Sequence, residues 1–202
     1  MKSEASTPLR PAVFLDRDGT LNVEKHYLHR IEDWEWIPGA AAAVSLLNRR
    51  GFAVVVVTNQ AGIARGLYGE AEMTRLHTWM RADLEAMGAR VDGIYHCPHH
   101  PDYGQRVQCT CRKPAPGLLL RAASDLGLDL ARSFIIGDRE SDLEAGLRCG
   151  VTPLLVATGY GERTRRDFST NAPFFPDVSA AVGHILDLPS LARRDVRGPG
   201  AA

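Results

Sequence analysis

An acidic turn follows the first apolar segment of the chain, where Asp16 and Asp18 are separated by one residue and followed by Gly19. In an extended backbone, side chains two positions apart leave the same face, and the glycine allows a sharp turn after them. One such carboxylate can attack phosphorus or bind a metal ion while the other transfers a proton. A simple turn cap, or a structural ion pair with Arg17 and Arg65, would explain the same residues.

A calcium-binding EF-hand loop is excluded at this turn. That loop needs glycine at its sixth position and a bidentate glutamate at its twelfth. Counted from Asp16, glycine stands fourth here and Tyr27 stands twelfth.

Three further residues could complete a site for phosphoryl transfer. Thr58 follows an apolar run and can donate a hydroxyl hydrogen bond to a phosphoryl oxygen, while Lys113 supplies a compact positive charge. Asp138 ends another apolar run and can add a carboxylate to the oxygen ligands that Mg²⁺ prefers. Together with the acidic turn, these residues predict a magnesium-dependent phosphoryl-transfer site.

A second cluster lies between residues 96 and 114, a stretch with almost no apolar side chains. Cys97, His99, Cys109 and Cys111 form two short chelating pairs that suit a closed, structural tetrahedral Zn²⁺ site. His96 and His100 are alternative fourth ligands. A disulfide is the competing interpretation, but three cysteines in one loop would leave one unpaired. Cys149 lies far along the chain and is interpreted as a small core residue.

The pattern of apolar segments predicts an α/β fold with a doubly wound, mainly parallel sheet. Short apolar runs alternate with segments of helical spacing, and ligands in such folds bind beyond the carboxyl ends of the strands. We predict strands at the start of 11–20 and over 52–60, 91–96, 133–138 and 153–158, with helices over 38–51, 70–88, 116–127 and 140–148.

The composition excludes several classes of protein. The 202 residues include 24 basic and 24 acidic side chains, so no global field favours nucleic acid or an anionic membrane. No apolar stretch is long enough for a membrane span or a signal peptide, and a cytoplasmic location is expected. The length suits one core, and we predict a single domain over 8–190 followed by a disordered tail over 191–202.

The motifs DRDGT, VVTNQ, Lys113 and GDRESD resemble the haloacid dehalogenase (HAD) superfamily of phosphatases. The segments DRDGTLNVEKHYLHRIEDWEWIPG, VVVTNQAGIARG, DGIYHCPHHP and CTCRKPAPG are similar to the D-glycero-D-manno-heptose 1,7-bisphosphate 7-phosphatases, over roughly residues 11–160. The resemblance implies a HAD-like Rossmannoid fold without a large cap domain, with a structural Zn²⁺ loop in place of the cap. It also implies a sugar bisphosphate as the small-molecule substrate.

The resemblance assigns roles to the candidate residues. Asp16 would attack the phosphoryl group, and Asp18 would act as acid and then base. Thr58 and Lys113 would hold the transferring group, and Mg²⁺ would bind Asp16, the backbone carbonyl of Asp18, and Asp138. His99 would be the fourth zinc ligand. The residues expected to bind substrate are Glu24, Lys25, His26, Tyr27, Thr58, Asn59, Gln60, Arg112, Lys113 and Arg139.

Two positions depart from the family pattern. Ala61 stands where the family often has serine, which removes a hydroxyl near the phosphate but leaves the backbone donor. His26 stands where the family often has glycine, which places a bulky, titratable ring near the substrate.

Other functions remain as alternatives. A histidinol-phosphate phosphatase would share the DRDGT motif and the zinc loop, and a non-catalytic zinc-stabilised binding module would share the fold. A phosphatase acting on nucleic-acid ends would need a basic stripe, which the sequence does not contain. We expect a monomer, because no exposed apolar helix stands out.

Overall fold

The fold is described by a computed structural model that covers residues 9–105 and 109–189. The predicted domain limits at residues 8 and 190 and the predicted tail over 191–202 lie outside these residues. The described chain forms one six-stranded parallel sheet in the order β3-β2-β1-β4-β5-β6. Its strands are β1 (Arg10–Leu15), β2 (Ala53–Asn59), β3 (Gly93–Cys97), β4 (Leu128–Gly137), β5 (Thr152–Val156) and β6 (Phe174–Phe175).

The helices connect these strands and cover both faces of the sheet. They are α1 (Ala40–Arg49), α2 (Ala61–Ala64), α3 (Glu70–Ala86), α4 (Gly117–Leu126), α5 (Glu140–Leu147), α6 (Gly161–Asp167) and α7 (Val178–Asp187), with a short 3₁₀ helix at Ile31–Asp33. None of the helices in the described ranges is long and apolar enough to cross a membrane. The predicted doubly wound α/β architecture is confirmed, and no separate cap domain is formed by the described residues.

Successive side chains of a strand point to opposite faces of the sheet, and this explains why the sheet has an apolar core on each face. In β1, Val13 and Leu15 face one core, which contains apolar residues of α1, α3 and α7, whereas Ala12 and Phe14 face another, lined by α4 and α5. Residues 53–57 of β2 are completely buried. A strand with helices on both faces has no solvent-facing side, so its apolar run is continuous rather than alternating.

The predicted elements occur with some differences in their limits. The third predicted helix ends where Gly127 adopts a left-handed φ of 63°, as its glycine stop suggested. Strand β4 begins at Leu128, five positions before the predicted start, and its pairing with β1 shifts register between Pro11 and Val13. Helices α2, α6 and α7 and strand β6 were not predicted from the sequence.

The parallel sheet brings the polar strand ends together. Asp16 follows β1 immediately, Thr58 lies near the end of β2, and Asp138 follows β4 immediately. Because these three strands are neighbours, their carboxyl ends form one edge, and the loop that continues β3 brings Lys113 to the same place.

Candidate active site

The centre of the candidate site is a buried ion pair between Lys113 and Asp16. The Nζ of Lys113 donates a hydrogen bond of 2.7 Å to Oδ1 of Asp16, and another of 2.7 Å to the carbonyl oxygen of Val57. The same ammonium lies 2.5 Å from Oδ1 of Asp142. Lys113 is 3% exposed and Asp16 is 5% exposed, so each charge depends on the other for compensation.

Burial raises the pKa values of two carboxylates in this cluster, those of Asp16 and Asp138. It raises the pKa of Asp16 to about 7, with Asp142 and Asp18 adding to the rise and Lys113 opposing it. Burial also raises the pKa of Asp138 well above its usual value. For Lys113, burial lowers the pKa, but attraction by Asp142 and Asp16 outweighs it and the pKa is raised. The cluster therefore contains more carboxylates than the single ammonium of Lys113 can neutralise. Such an environment favours the binding of a further cation.

Three buried carboxylates, Asp16, Asp138 and Asp142, present oxygen atoms within 4.8 Å of one another. Oδ2 of Asp138 accepts a hydrogen bond of 2.7 Å from the backbone N–H of Tyr160. Oδ1 of Asp138 is buried and has no hydrogen-bond partner among the described residues. Buried carboxylate oxygens are rarely left without a partner, and hard divalent cations bind such oxygens, so the donor set fits Mg²⁺.

Asp142 has a structural role beside this cluster. Its Oδ2 accepts a hydrogen bond of 3.0 Å from the backbone N–H of Arg139 and so caps α5, while its Oδ1 faces Lys113. A side chain that both caps a helix and orients the lysine fixes the distance between β4 and the Cys/His loop. Asp16 and Asp138 remain as the carboxylates best placed for a metal ion.

Two glycines allow the backbone to approach Asp138. Gly19, with φ of 84°, and Gly159, with φ of 60°, lie against each other, and a Cβ atom on either would collide with Oδ2 of Asp138. The hydroxyl of Thr158 donates to the carbonyl oxygen of Gly19 at 2.6 Å and links the two turns. The glycine in the acidic turn therefore serves the packing around a carboxylate as well as the turn itself.

Asp18 is surrounded by hydrogen-bond donors. Its Oδ1 accepts from Arg17 and from Nδ2 of Asn22 at 3.1 Å, and its Oδ2 accepts from Arg17 at 2.8 Å and from Nε2 of Gln60 at 2.9 Å. Arg17 is completely buried and also donates to the carbonyl oxygen of Leu28 at 2.9 Å. The ion pair with Arg17, part of the structural alternative for this turn, is therefore present, and it orients the carboxylate toward the cleft side of the turn. The ion pair with Arg65 in the same alternative is not among the ion pairs of the described residues.

Thr58, Asn59 and Gln60 have three different environments. Oγ1 of Thr58 accepts a hydrogen bond of 2.8 Å from Nε2 of Gln60, which leaves the hydroxyl proton available for a ligand. The side chain of Asn59 pairs with the backbone of Lys113, through bonds of 3.0 and 3.1 Å, and so anchors the lysine. Gln60 is 2% exposed and faces Asp18. Both Asn59 and Gln60 line the cleft, and their amide groups also hold Lys113 and Asp18 in place.

The segment after the acidic turn carries Glu24, His26 and Tyr27 to the cleft. His26 and Tyr27 have positive φ values of 51° and 60°, a left-handed conformation that favours glycine. The histidine ring at position 26 is thus carried by a backbone conformation that a glycine would adopt without strain. The structure places Lys25 elsewhere, with its exposed Nζ 2.7 Å from Oε2 of Glu35.

These residues surround an open cleft of about 570 Å³ above the sheet edge. Of the cations predicted to bind substrate, Arg112, Lys113 and Arg139 line it. Arg139 also lies with its guanidinium 3.8 Å from the ring centre of Tyr160. Ala61 and Asp142 also line the cleft. Further lining residues, which were not assigned to the site from the sequence, are Arg65, Tyr68, His100, Pro114, Ser141 and Tyr160.

The Cys/His cluster is formed as predicted, with His99 as the histidine. The Sγ of Cys97 lies 3.8 Å from that of Cys109 and 3.2 Å from that of Cys111, and Nδ1 of His99 lies 3.7 and 3.4 Å from Cys97 and Cys111. A tetrahedral ion with bonds of about 2.3 Å to sulfur separates its sulfur ligands by about 3.8 Å. The four residues can therefore hold a metal ion, and all of the cysteines are free.

The two alternative histidines have other partners. Nε2 of His96 lies 2.7 Å from Oε2 of Glu70, and Nδ1 of His100 accepts a hydrogen bond of 3.1 Å from the backbone N–H of Asp102. Arg112 follows the last cysteine and donates to the carbonyl oxygen of His99 at 3.0 Å. The Cys/His cluster and the cationic wall of the cleft are therefore joined directly.

Comparison with known proteins agrees with this geometry. The Hydrolase_like family model, described as HAD-hyrolase-like, matches residues 110–181. The D-glycero-beta-D-manno-heptose-1,7-bisphosphate 7-phosphatase of Escherichia coli (strain K12) is 48% identical over 192 residues, covering 91% of this chain and 94% of that protein. The phosphatase of the same name from Photorhabdus laumondii is 44% identical over 165 residues, covering 80% and 88%.

A solved structure of a heptose bisphosphate phosphatase is also similar to this chain. The D,D-heptose 1.7-bisphosphate phosphatase from B. bronchiseptica, complexed with magnesium and phosphate, is 35% identical with a TM-score of 0.80, covering 87% of this chain and 98% of that one. The family predicted from the acidic turn and the Cys/His loop is confirmed. The chain belongs to the D-glycero-beta-D-manno-heptose-1,7-bisphosphate 7-phosphatases, phosphoric monoester hydrolases with the HAD-like fold.

Proposed function

We propose that this enzyme removes the 7-phosphate of D-glycero-D-manno-heptose 1,7-bisphosphate in a Mg²⁺-dependent reaction, through an aspartyl-phosphate intermediate. The observation that carries the proposal is the buried contact between Lys113 and Asp16, with Thr58 and Asp138 at the same sheet edge. This arrangement holds a nucleophile, a cation, a hydroxyl donor and a metal carboxylate around one point.

In the first step, a carboxylate oxygen of Asp16 forms a bond to phosphorus as the bond between phosphorus and the sugar oxygen breaks. Asp18 gives its proton to that oxygen, and the sugar leaves as an alcohol. The hydroxyl of Thr58 and the ammonium of Lys113 interact with the phosphoryl oxygens. Phosphoryl transfer depends mainly on such positioning and charge compensation.

In the second step, water attacks the phosphorus of the aspartyl-phosphate. Asp18, now a carboxylate, takes a proton from that water as the phosphorus–Asp16 bond breaks. Inorganic phosphate leaves, Asp16 is again a carboxylate, and Asp18 is again protonated. One residue can alternate in this way because the first step leaves it in the form that the second step needs.

Mg²⁺ would be held by Asp16, Asp138 and the backbone carbonyl of Asp18, where it would neutralise charge on the phosphoryl group. The unpartnered Oδ1 of Asp138 supports this assignment. Burial raises the pKa values of Asp16 and Asp138, and a bound cation would offset this effect by favouring their ionised forms.

Zn²⁺ is the proposed occupant of the Cys/His cluster, with a structural role. Three cysteines and one histidine fill all four positions of a tetrahedral ion and leave none for substrate. The ion would order the polar loop that carries Arg112 and Lys113 to the cleft.

The substrate assignment is supported by the cationic wall of the cleft. Arg65, Arg112 and Arg139 line it in addition to Lys113, and they can pair with the phosphate that remains on the sugar. Histidinol phosphate has no second phosphate group that could pair with these arginines. We further propose that the enzyme acts in the cytoplasm as a monomer.

The proposal is tested by measuring phosphate release from both anomers of the heptose bisphosphate and from histidinol phosphate, with and without Mg²⁺. We expect Mg²⁺-dependent release of one phosphate per heptose, with the 1-phosphate retained in the product. Preferred hydrolysis of histidinol phosphate, or release from the 1-position, would contradict the assignment.

A further inference from the structure

We infer that Tyr68 is a positioning residue for Asp18 and acts through Gln60. The inference rests on the proposed function, in which Asp18 transfers a proton to and from the reacting groups. The hydroxyl of Tyr68 donates a hydrogen bond of 2.7 Å to Oε1 of Gln60, and Nε2 of Gln60 donates to Oδ2 of Asp18 at 2.9 Å. Tyr68 is thus linked to the acid–base carboxylate by two consecutive hydrogen bonds.

The bond from Tyr68 determines which way the Gln60 amide faces. A tyrosine hydroxyl with its proton directed at Gln60 needs an acceptor, so Oε1 must point to it. The NH₂ group then points to the other side, where its two protons meet Oδ2 of Asp18 and, at 2.8 Å, Oγ1 of Thr58. A reversed amide would turn its NH₂ group toward the Tyr68 hydroxyl and its carbonyl oxygen toward Oδ2 of Asp18, so in the ionised form of Asp18, which the second step uses, two acceptors would face each other.

The orientation has consequences for both partners of the amide. Asp18 is held on its Oδ2 side, so that the carboxyl group keeps a fixed direction toward the leaving oxygen. Thr58 receives a hydrogen bond on its oxygen and therefore keeps its own proton for a phosphoryl oxygen. One buried amide thus sets the geometry of two groups that touch the substrate.

The surroundings of Tyr68 keep this chain of bonds rigid. Gln60 is 2% exposed and Tyr68 is 5% exposed, so water does not compete for the hydrogen bonds. Burial raises the pKa of Tyr68 to about 12, and the hydroxyl keeps its proton. The ring packs with Leu28, Met73 and Leu76 in a separate apolar cluster, so the ring position does not depend on the hydroxyl.

The absence of a side chain at Gly62 leaves space for the Tyr68 ring. A Cβ atom at Gly62 would collide with the Tyr68 ring and come close to its hydroxyl. A side chain at this position would therefore displace Tyr68 from Gln60. The glycine therefore belongs to the same arrangement as Tyr68 and Gln60.

The test compares kcat/KM for two phosphate esters in Tyr68→Phe and Gly62→Ala variants. The leaving group of the heptose bisphosphate is a sugar alkoxide, which departs poorly unless it receives a proton. The leaving group of p-nitrophenyl phosphate is a phenolate, which is stable without one. Because kcat/KM reports the steps up to leaving-group departure, misplacement of Asp18 should reduce it by about tenfold for the sugar ester and by no more than about twofold for the aryl ester. Tyr95→Phe is the control, since that hydroxyl contacts Asp125 outside the site.

The outcomes separate the inference from the proposed function. An equal loss for both esters, or no loss for the sugar ester in folded, zinc-loaded Tyr68→Phe protein, would overturn the role of Tyr68 while the wild-type enzyme stays active. Failure of the wild-type enzyme to hydrolyse the bisphosphate would instead contradict the proposed function. Agreement between Tyr68→Phe and Gly62→Ala would tie the effect to the hydroxyl position, because the two variants alter it by different means.

Discussion

The ammonium of Lys113 lies 2.7 Å from the carboxylate of Asp16, and their side chains are 2% and 7% exposed. The contact joins the Cys/His loop to the first strand of the sheet, since Lys113 follows the loop and Asp16 follows β1. It also gives the candidate nucleophile a fixed direction before a phosphoryl group is bound. The cation can then interact with the phosphoryl oxygens without moving far, because it already lies beside the attacking atom.

Removing the cation should abolish activity and weaken the fold. In Lys113→Met, the buried Asp16 and Asp142 lose the charge that compensates them, so we expect the free energy of unfolding to fall by about 3–5 kcal/mol and turnover to fall by at least about 100-fold. Denaturant unfolding and phosphate release measure the two effects. Lys25→Met is the stability control, because its exposed pair with Glu35 should contribute no more than about 1 kcal/mol. Equal stability losses in the two variants would contradict the compensation argument.

Loss of one ligand should empty the Cys/His cluster. Cys109→Ser should bind no stoichiometric zinc and should unfold at a lower temperature, because metal binding contributes to the free energy of folding of the loop. Cys149→Ser is the matched control, since Cys149 lies outside the cluster and its thiol donates to the carbonyl oxygens of Ala145 and Gly146 in the last turn of α5. Elemental analysis and thermal unfolding give the two readouts. Full zinc content in Cys109→Ser would require a different ligand set.

The buried histidine His77 should make the protein sensitive to acid. Burial lowers its pKa to about 2, and Arg17, His96 and Arg81 add to this effect. The histidine is protonated below about pH 6.5 in the unfolded chain but stays neutral in the folded protein. The free energy of unfolding is therefore unaffected by this group above pH 6.5 and decreases progressively as the pH falls toward 2. Each pH unit in this window should cost about 1.4 kcal/mol.

His77→Gln should remove this component of the acid sensitivity. The amide oxygen of glutamine can still accept the hydrogen bond that Arg17 directs at the ring nitrogen, 3.2 Å away. Urea unfolding at pH 5, 6, 7 and 8 measures the slope, with His184→Gln on the exposed surface as the control. An unchanged slope in His77→Gln would show that the histidine is protonated in the folded state as well.

Much of the fold could be predicted because apolar runs and helical spacing alternate clearly along residues 11–158. The later elements gave weaker signals. Strand β6 has only Phe174 and Phe175, too few residues for any periodicity. Helix α7 has a usable signal, since Asp177 caps it by accepting from the backbone N–H of Ala180 and its buried residues recur at helical spacing. The early start of β4 is hidden because it pairs with β1 through a register shift.

The chemistry-bearing residues were predictable because a parallel sheet must gather its strand ends, whatever the detailed packing. Side-chain direction was not predictable in the same way. Gln60 lines the cleft, but no local pattern indicates that its amide is bonded to the hydroxyl of Tyr68 on one side and to Asp18 on the other. The contact between the guanidinium of Arg65 and the ring of Tyr103, at 3.7 Å from the ring centre, joins segments far apart in sequence and leaves no local pattern.

Turnover by the Asp16→Asn variant tests the central claim most directly. Asparagine keeps the size of the side chain but is a far weaker nucleophile than a carboxylate, so the aspartyl-phosphate cannot form. We predict no measurable phosphate release from the heptose bisphosphate with Mg²⁺, while the fold and zinc content match the wild-type protein. Turnover near the wild-type rate would contradict the covalent mechanism and remove Asp16 from the centre of the reaction.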